Sequence, residues 1–169
     1  MIPRLSLSER IPQVVKDFLA QLRQSKFSGK INHDYATRVV TSTDNSIYQV
    51  LPQAVISPKN ISDIQKVMSI AEKKQFRKDI KITARGGGTG TNGQSLSEGI
   101  VLDCSHFMNR ILEINLEQGW VRVEPGVVLD QLNKFLEPNN VFFAPDLSPS
   151  NRATPVSYTH LTLPTNREV

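Results

Sequence analysis

With 169 residues, of which 38% are hydrophobic and 21% charged, the chain is long enough for one globular domain with a core, or for part of a larger protein. No apolar run approaches the roughly 20 residues of a membrane span, and no basic-then-apolar segment opens the chain, so the expected location is the cytoplasm. The net charge of +4 could attract anions, but the densest basic segment, Lys73 to Lys81, is interrupted by acid and closes a helical pattern, where cations suit the dipole, and no nucleic-acid module accompanies it.

In chain order, Val14, Val15, Phe18, Leu19 and Leu22 show the i, i+3, i+4 spacing of an amphipathic helix, closed by Gly29. Residues 31–52 are polar and irregular and read as loop with a short helical turn. "AVIS" before Pro58 is a short buried strand. Asn60 caps the next helix, with Asp63 in its first turn, and Ile64, Val67, Met68 and Ala71 line one face up to about Lys74. "IKITA" is a strand, followed by a glycine loop and the strand "GIVLDC", whose Cys104 is expected to be a buried, inert thiol. A lone cysteine also excludes an intramolecular disulfide and a multi-cysteine metal site within these residues.

Beyond Cys104, "RILEINLEQGWVRVEPG" alternates as a hairpin turning at residues 116–119. Val127, Val128, Leu129, Leu132, Phe135 and Leu136 form a further helix stopped by Pro138, and "VFFA" a short strand entering a proline- and serine-rich loop. The order predicts a mixed α+β fold. The last residues continue no pattern: Val156 to Thr165 match one frame of a transposon-based sequencing adapter. The natural sequence is therefore expected to end at about Thr154, leaving residues 155–169 as a non-native tail on a fragment, with His160 no ligand candidate.

The glycine loop, "RGGGTGTNGQ", places five glycines in the eight residues 86–93. Gly88, Gly90 and Gly93 spell the dinucleotide fingerprint, but that fingerprint must open a helix. Only "QSLSEG" separates Gly93 from the next strand, too short for a crossover helix, and no lysine follows Gly93 in the loop as a Walker motif requires. Two readings remain: a flexible surface turn, or a nest of converging N–H groups for an anion, supplemented by Thr89, Thr91 and Asn92.

Taken together, "PQAVISPKNISDIQKVMSIA", "RGGGTGTNGQ", "VRVEPGVVLDQLNKFL" and "FFAPDLSPSNRAT" resemble the FAD-binding domain of the PCMH (vanillyl-alcohol-oxidase) type over about Asn45 to Thr154. With "TDNSIYQ" and "HFMNRILEIN", the chain is similar to the large bacterial FAD-linked D-2-hydroxyacid dehydrogenases, in the 2-hydroxyglutarate branch that carries a C-terminal iron–sulfur domain.

The resemblance implies a segment 1–44 ahead of a truncated FAD domain at 45–154. It implies that Gly86, Gly87, Gly88, Thr89, Gly90, Thr91, Asn92 and Gly93 cradle the FAD pyrophosphate, and that Pro145, Asp146, Leu147, Ser148, Asn151 and Thr154 run along the flavin and its phosphates. Some relatives attach FAD through a histidine where Gly88 stands, so noncovalent FAD is implied. The small-molecule substrate would be a D-2-hydroxyacid of the 2-hydroxyglutarate or lactate class, and the base, the metal histidines and any iron–sulfur cluster would lie in C-terminal regions of the parent, leaving no catalytic or metal residue here.

Arg85 either pairs with a phosphate or is a solvated strand end, and Tyr48 either approaches the cofactor or anchors its loop. His33 and His106 read as structural or exposed, and Trp120 as packing. Rival readings are a flavin reductase of cell-wall nucleotide-sugar synthesis and a non-catalytic basic binding module.

Overall fold

The computed structural model describes residues 11–145 and 150–154. The first helix, α1 (Gln13–Gln24), buries Val15, Phe18, Leu19 and Leu22 on one stripe, each side chain contributing about 1.5–3 kcal/mol of hydrophobic burial. It begins after Pro12, a residue suited to a helix entrance because it has no N–H to leave unpaired. It ends well before Gly29: the Ser25 hydroxyl donates to the Leu22 carbonyl at 2.7 Å and Lys26 takes the left-handed conformation (φ 58°) that closes the last turn.

Residues 31–52 hold more structure than their polarity predicts. Strand β1 (Lys30–Asn32) and helix α2 (Tyr35–Val40) precede β2 (Ala54–Ser57). The α2 entrance is capped by Asp34, whose carboxylate accepts from the Thr37 N–H at 2.9 Å and the Thr37 hydroxyl at 2.8 Å. A bridge between Thr43 and Gln49 folds residues 41–49 into a tight strap.

Helix α3 (Ile61–Ala71) is capped by Asn60, which accepts from the Asp63 N–H at 2.9 Å. It stops at Ala71, short of Lys74, in a series of turns. Its inward face carries Val67, Ile70 and Ala71, with Met68 turned outward at 44% exposure. The inward stripe follows the 67, 70, 71 spacing that meets α1, so Ile70 takes the place expected of Met68.

Strands β3 (Ile82–Arg85) and β4 (Ile100–Asp103) complete a four-stranded sheet in the order β1-β2-β4-β3, parallel except for β1, which pairs antiparallel along β2. All four residues of β2 are buried, as expected of an inner strand covered on both faces. Ala54, Ile56, Ile100 and Leu102 face α1 and α3, with Phe18 meeting Phe76 edge-on at 5.6 Å. Alternation turns Val55, Val101, Asp103, Thr83 and Arg85 to the opposite face.

A second, smaller core lies beyond. The antiparallel hairpin of β5 (Ile111–Asn115) and β6 (Trp120–Val123) turns through residues 116–119, with Gly119 at φ 67° and a bulge between Ile111 and Glu113. Helix α4 (Leu129–Leu136) lays Leu132 and Leu136, with Val127 before it, against Ile111, Ile114, Val121 and Val123. Val127 and Val128 precede the helix rather than starting it: Val128 is the N-cap, with extended backbone (ψ 141°). After a 3-10 turn (Glu137–Asn139), residues 141–145 form no strand: they are exposed, with Phe142 at 74%. The observed fold is α+β, as expected. The expected non-native tail at 155–169 lies outside the described residues.

Candidate functional site

The site grows from the parallel pairing of β3 and β4. Neighbouring parallel strands need a connection that returns the full length of the sheet, usually a helix. Here residues 86–99 make that return without a helix. The loop leaves the sheet at Arg85 and folds back over the face opposite α1 and α3, where Arg85 points.

Gly88 is buried with φ 65°, and Gly93 has φ 74°, conformations that side-chain-bearing residues rarely adopt. A Cβ on Gly88 would overlap the Arg85 guanidinium, and one on Gly87 would overlap the Arg152 carbonyl oxygen. The backbone of the loop therefore lies directly on its neighbours on two sides. Among the described residues no hydrogen bond engages the N–H groups of Gly87, Gly88, Thr89, Gly90 or Thr91, whereas Asn92 donates to Gln94 Oε1 at 3.1 Å and Leu96 to the Gly93 carbonyl at 3.0 Å. A run of unengaged amides with glycine torsions is the chemistry of an anion nest.

Arg85 is committed to protein partners. Nη1 donates to the Ser95 hydroxyl at 3.2 Å and the Thr41 carbonyl at 3.4 Å, and Nη2 to the Thr43 carbonyl at 2.8 Å. Burial lowers the guanidinium pKa from its ordinary value, an effect opposed by the carboxylates of Asp103 and Asp44 and reinforced by Arg152. The Ser95 hydroxyl in turn donates a hydrogen bond to Asp44 Oδ2 at 3.0 Å. Sequence reasoning missed Asp44 and Ser95, and two of the three Arg85 partners are backbone carbonyls, which every residue carries and no pattern marks.

The residues 150–154 form the other side. The Leu129 N–H donates to the Ala153 carbonyl at 3.0 Å and the Asp130 N–H to the Ser150 carbonyl at 3.2 Å. These bonds occupy the first two amides of α4. Thr154 is 1% exposed, and its hydroxyl is buried without a hydrogen-bond partner. A buried hydroxyl without a partner is costly, and it fits a polar group arriving from a cofactor.

Of the residues that the sequence assigns to the cofactor, Gly86 to Gly93 form one continuous loop, Gly87 touches Arg152 in the 150–154 segment, and Thr154 in that segment is buried. Thr91, Asn92, Pro145 and Asn151 are exposed. Asp146, Leu147 and Ser148 lie outside the described residues.

Other candidates hold ordinary places. Cys104 is buried, which with Asp103 nearby raises its thiol pKa to about 11. Trp120 donates to Gln118 and lies 5.4 Å from the Arg122 guanidinium, while His33 is exposed and His106 bonds Lys30 at 2.9 Å. Glu124, 6% exposed, receives the Arg110 guanidinium at 2.7 and 3.2 Å and the Arg110 N–H at 2.9 Å, tying the hairpin's two ends together. Among the described residues no group of three His, Cys, Asp or Glu side chains is placed to hold a metal.

A glycine nest in place of a crossover helix, bordered by the 150–154 segment on an α+β sheet, is an arrangement suited to an anionic group. Residues 52–155 match the FAD binding domain family, and the chain belongs to it. The chain is 52% identical over 154 residues to the D-2-hydroxyglutarate dehydrogenase of Escherichia coli (strain K12), covering 91% of this chain and 15% of that protein's length. Among solved structures it is similar to an alkyldihydroxyacetonephosphate synthase (TM-score 0.74, 17% identity, 92% of this chain, 31% of that one). It is also similar to p-cresol methylhydroxylase with substrate bound (TM-score 0.66, 22% identity, 92% and 30%). The fold is thus that of the PCMH-type FAD-binding domain.

Proposed function

We propose that this chain is the FAD-binding portion of a flavin oxidoreductase that oxidises a D-2-hydroxyacid, with 2-hydroxyglutarate the first substrate to test. The observation that carries the reading is the run of unengaged amides at Gly87 to Thr91, closed on one side by the Arg152 carbonyl. The identity to a D-2-hydroxyglutarate dehydrogenase narrows the substrate class.

In this reading Gly86 to Gly93 hold the pyrophosphate, with Thr89, Thr91 and Asn92 adding side-chain donors. Pro145 to Ser148, Asn151 and Thr154 border the flavin. Glycine at position 88 supplies no nucleophile, so the cofactor is held noncovalently. When bound, FAD supplies the acceptor for a hydride from the hydroxyacid C2, and the protein supplies position and electrostatics. No residue of this chain is assigned to the proton transfer. The domain takes in residues 45–154, and residues 1–44 add α1, the edge strand β1 and α2. No helix among the described residues is long and apolar enough to cross a membrane, which is compatible with a cytoplasmic location.

The test is to purify the longer polypeptide that contains this sequence and measure flavin absorbance, then bleaching on addition of D-2-hydroxyglutarate, D-lactate or a nucleotide sugar without oxygen. Retained flavin bleached by a hydroxyacid is the expected result. A colourless, correctly folded protein that FAD cannot reconstitute refutes the cofactor assignment, and bleaching by none of the hydroxyacids refutes the substrate class.

A further inference from the structure

The strap of residues 41–49 lies ahead of the family match, which begins at residue 52, yet it is bonded to the glycine loop through Ser95 and Asp44 and to Arg85 at the loop's root. We propose that Arg85 is a positioning residue that clamps this strap against the glycine loop, making the strap one wall of the cofactor cradle with Tyr48 at its rim. The proposal rests on the FAD reading only for the word cofactor; the clamp itself is independent of it.

Three contacts make the case. The planar Arg85 fork reaches Thr41 and Thr43 in the strap and Ser95 at the far end of the loop, so one side chain joins both segments. Ser95 then bonds Asp44, and the Asp44 carboxylate accepts the Ser46 N–H at 2.9 Å, so the strap is held at its middle as well. Gly93 completes the seam: a Cβ there would stand 3.1 Å from the Tyr48 ring. The outcome is a strap whose tip is exposed, Ile47 at 95% and Tyr48 at 56%, while its base is fixed. Two exposed apolar side chains beside a polar nest are placed to meet the ring system of a bound nucleotide.

Arg85 lies beneath the loop, with Gly88 resting on its guanidinium, and protein acceptors occupy three of its five donors. A lysine at this position would keep the charge but could not span three acceptors pointing in different directions. This separates a clamp from a phosphate-binding charge.

The experiment uses the longer polypeptide that contains this sequence, as wild type and as Arg85→Lys, Arg85→Ala, Ser95→Ala and the Arg85→Lys/Ser95→Ala pair. Amide hydrogen exchange is read without FAD at the hydrogen-bonded amides of the two segments, Thr41, Ser42, Ser46 and Val50 in one and Asn92 and Leu96 in the other, and FAD affinity is read by flavin fluorescence. A clamp predicts that Arg85→Lys speeds exchange in both segments together by about tenfold to a hundredfold, the equivalent of one lost hydrogen bond to a charged group. It also predicts that the pair is no worse than Arg85→Lys alone, and that Arg85→Lys weakens FAD about as much as Arg85→Ala. Unchanged exchange in residues 41–50 of Arg85→Lys overturns the clamp. Arg85→Lys that binds FAD like wild type while Arg85→Ala does not assigns Arg85 to the phosphate and overturns it equally. If wild type itself binds no FAD, the cofactor reading fails and the exchange data still decide the clamp.

Discussion

Gly87 and Arg152 are in backbone contact: no atom larger than hydrogen fits between the Gly87 Cα and the Arg152 carbonyl. Segments far apart in sequence meet there at a single point, and the 150–154 segment in turn binds the first amides of α4. Displacing it loosens both the loop and the helix.

Gly87→Ala is therefore expected to destabilise the fold by about 1–3 kcal/mol, the usual cost of overpacking, and to release residues 150–154. Urea unfolding followed by circular dichroism measures the first, and exchange at the Leu129 and Asp130 amides the second. A variant with wild-type midpoint and wild-type exchange at those amides would refute the contact.

Gly88→Ala combines two costs. The left-handed torsion penalises a side chain by about 1–2 kcal/mol, and the new methyl overlaps the Arg85 guanidinium. Because both act on the loop's shape, flavin retention in the longer polypeptide is expected to fall by at least about tenfold, with secondary structure intact. Adding Arg85→Ala removes the overlap, so the double variant is expected to lose less than the two single losses combined. Strictly additive losses would show that Gly88 and Arg85 do not touch.

Acid should unfold the protein partly through Asp63. Its side chain is fully buried, which by itself raises the carboxyl pKa, but donation from the Ser28 hydroxyl at 2.7 Å and the Ser28 and Lys59 amides at 3.0 Å outweighs burial and lowers it on balance. A carboxyl lowered in the folded state stabilises the protein above its unfolded pKa, near 3.9, and that stability is lost as pH falls through the lower folded value. Asp63→Asn is thus expected to reduce stability at pH 7 and to flatten the acid limb of melting temperature against pH. An acid limb as steep as that of wild type would exclude Asp63 from it.

Cys104 is 4% exposed with its thiol pKa raised to about 11, so little thiolate exists at pH 8 and little of it is accessible. Iodoacetamide is expected to leave the native chain unmodified over hours and to alkylate it at once in urea, as mass spectrometry would record. Rapid modification of the folded chain would show the thiol to be open.

What the sequence made legible was periodic or steric. The α1 stripe, the Asn60 cap, the hairpin and the exclusion of a helix after Gly93 all follow from spacing, and the structure shows each, with a bulge breaking the alternation in β5. Strand β1 was hidden because "KIN" is too short for alternation to register and is held by pairing with β2. "VFFA" misled in the opposite direction, since an apolar run is a strand only where another strand's edge accepts it. In the site, glycines announce a nest because few residues tolerate those torsions, but a nest has no side chains to say what surrounds it. The Arg85 clamp stayed invisible for that reason.

The order of the sheet carries a consequence for the time course of folding. β4 lies between β2 and β3, although it is made after both. Until β4 inserts, β3 has no neighbour to bond to, and the chain from 86 to 99 has nothing to span. Central parallel insertion is a non-local event and slow relative to hairpin or helix formation. The hairpin and α4 can form by local contacts while β2 and β3 still wait with open edges, the state in which unpaired strands invite aggregation. The nest is among the last features to close, so its ligand can only recognise a chain that has already committed to its sheet.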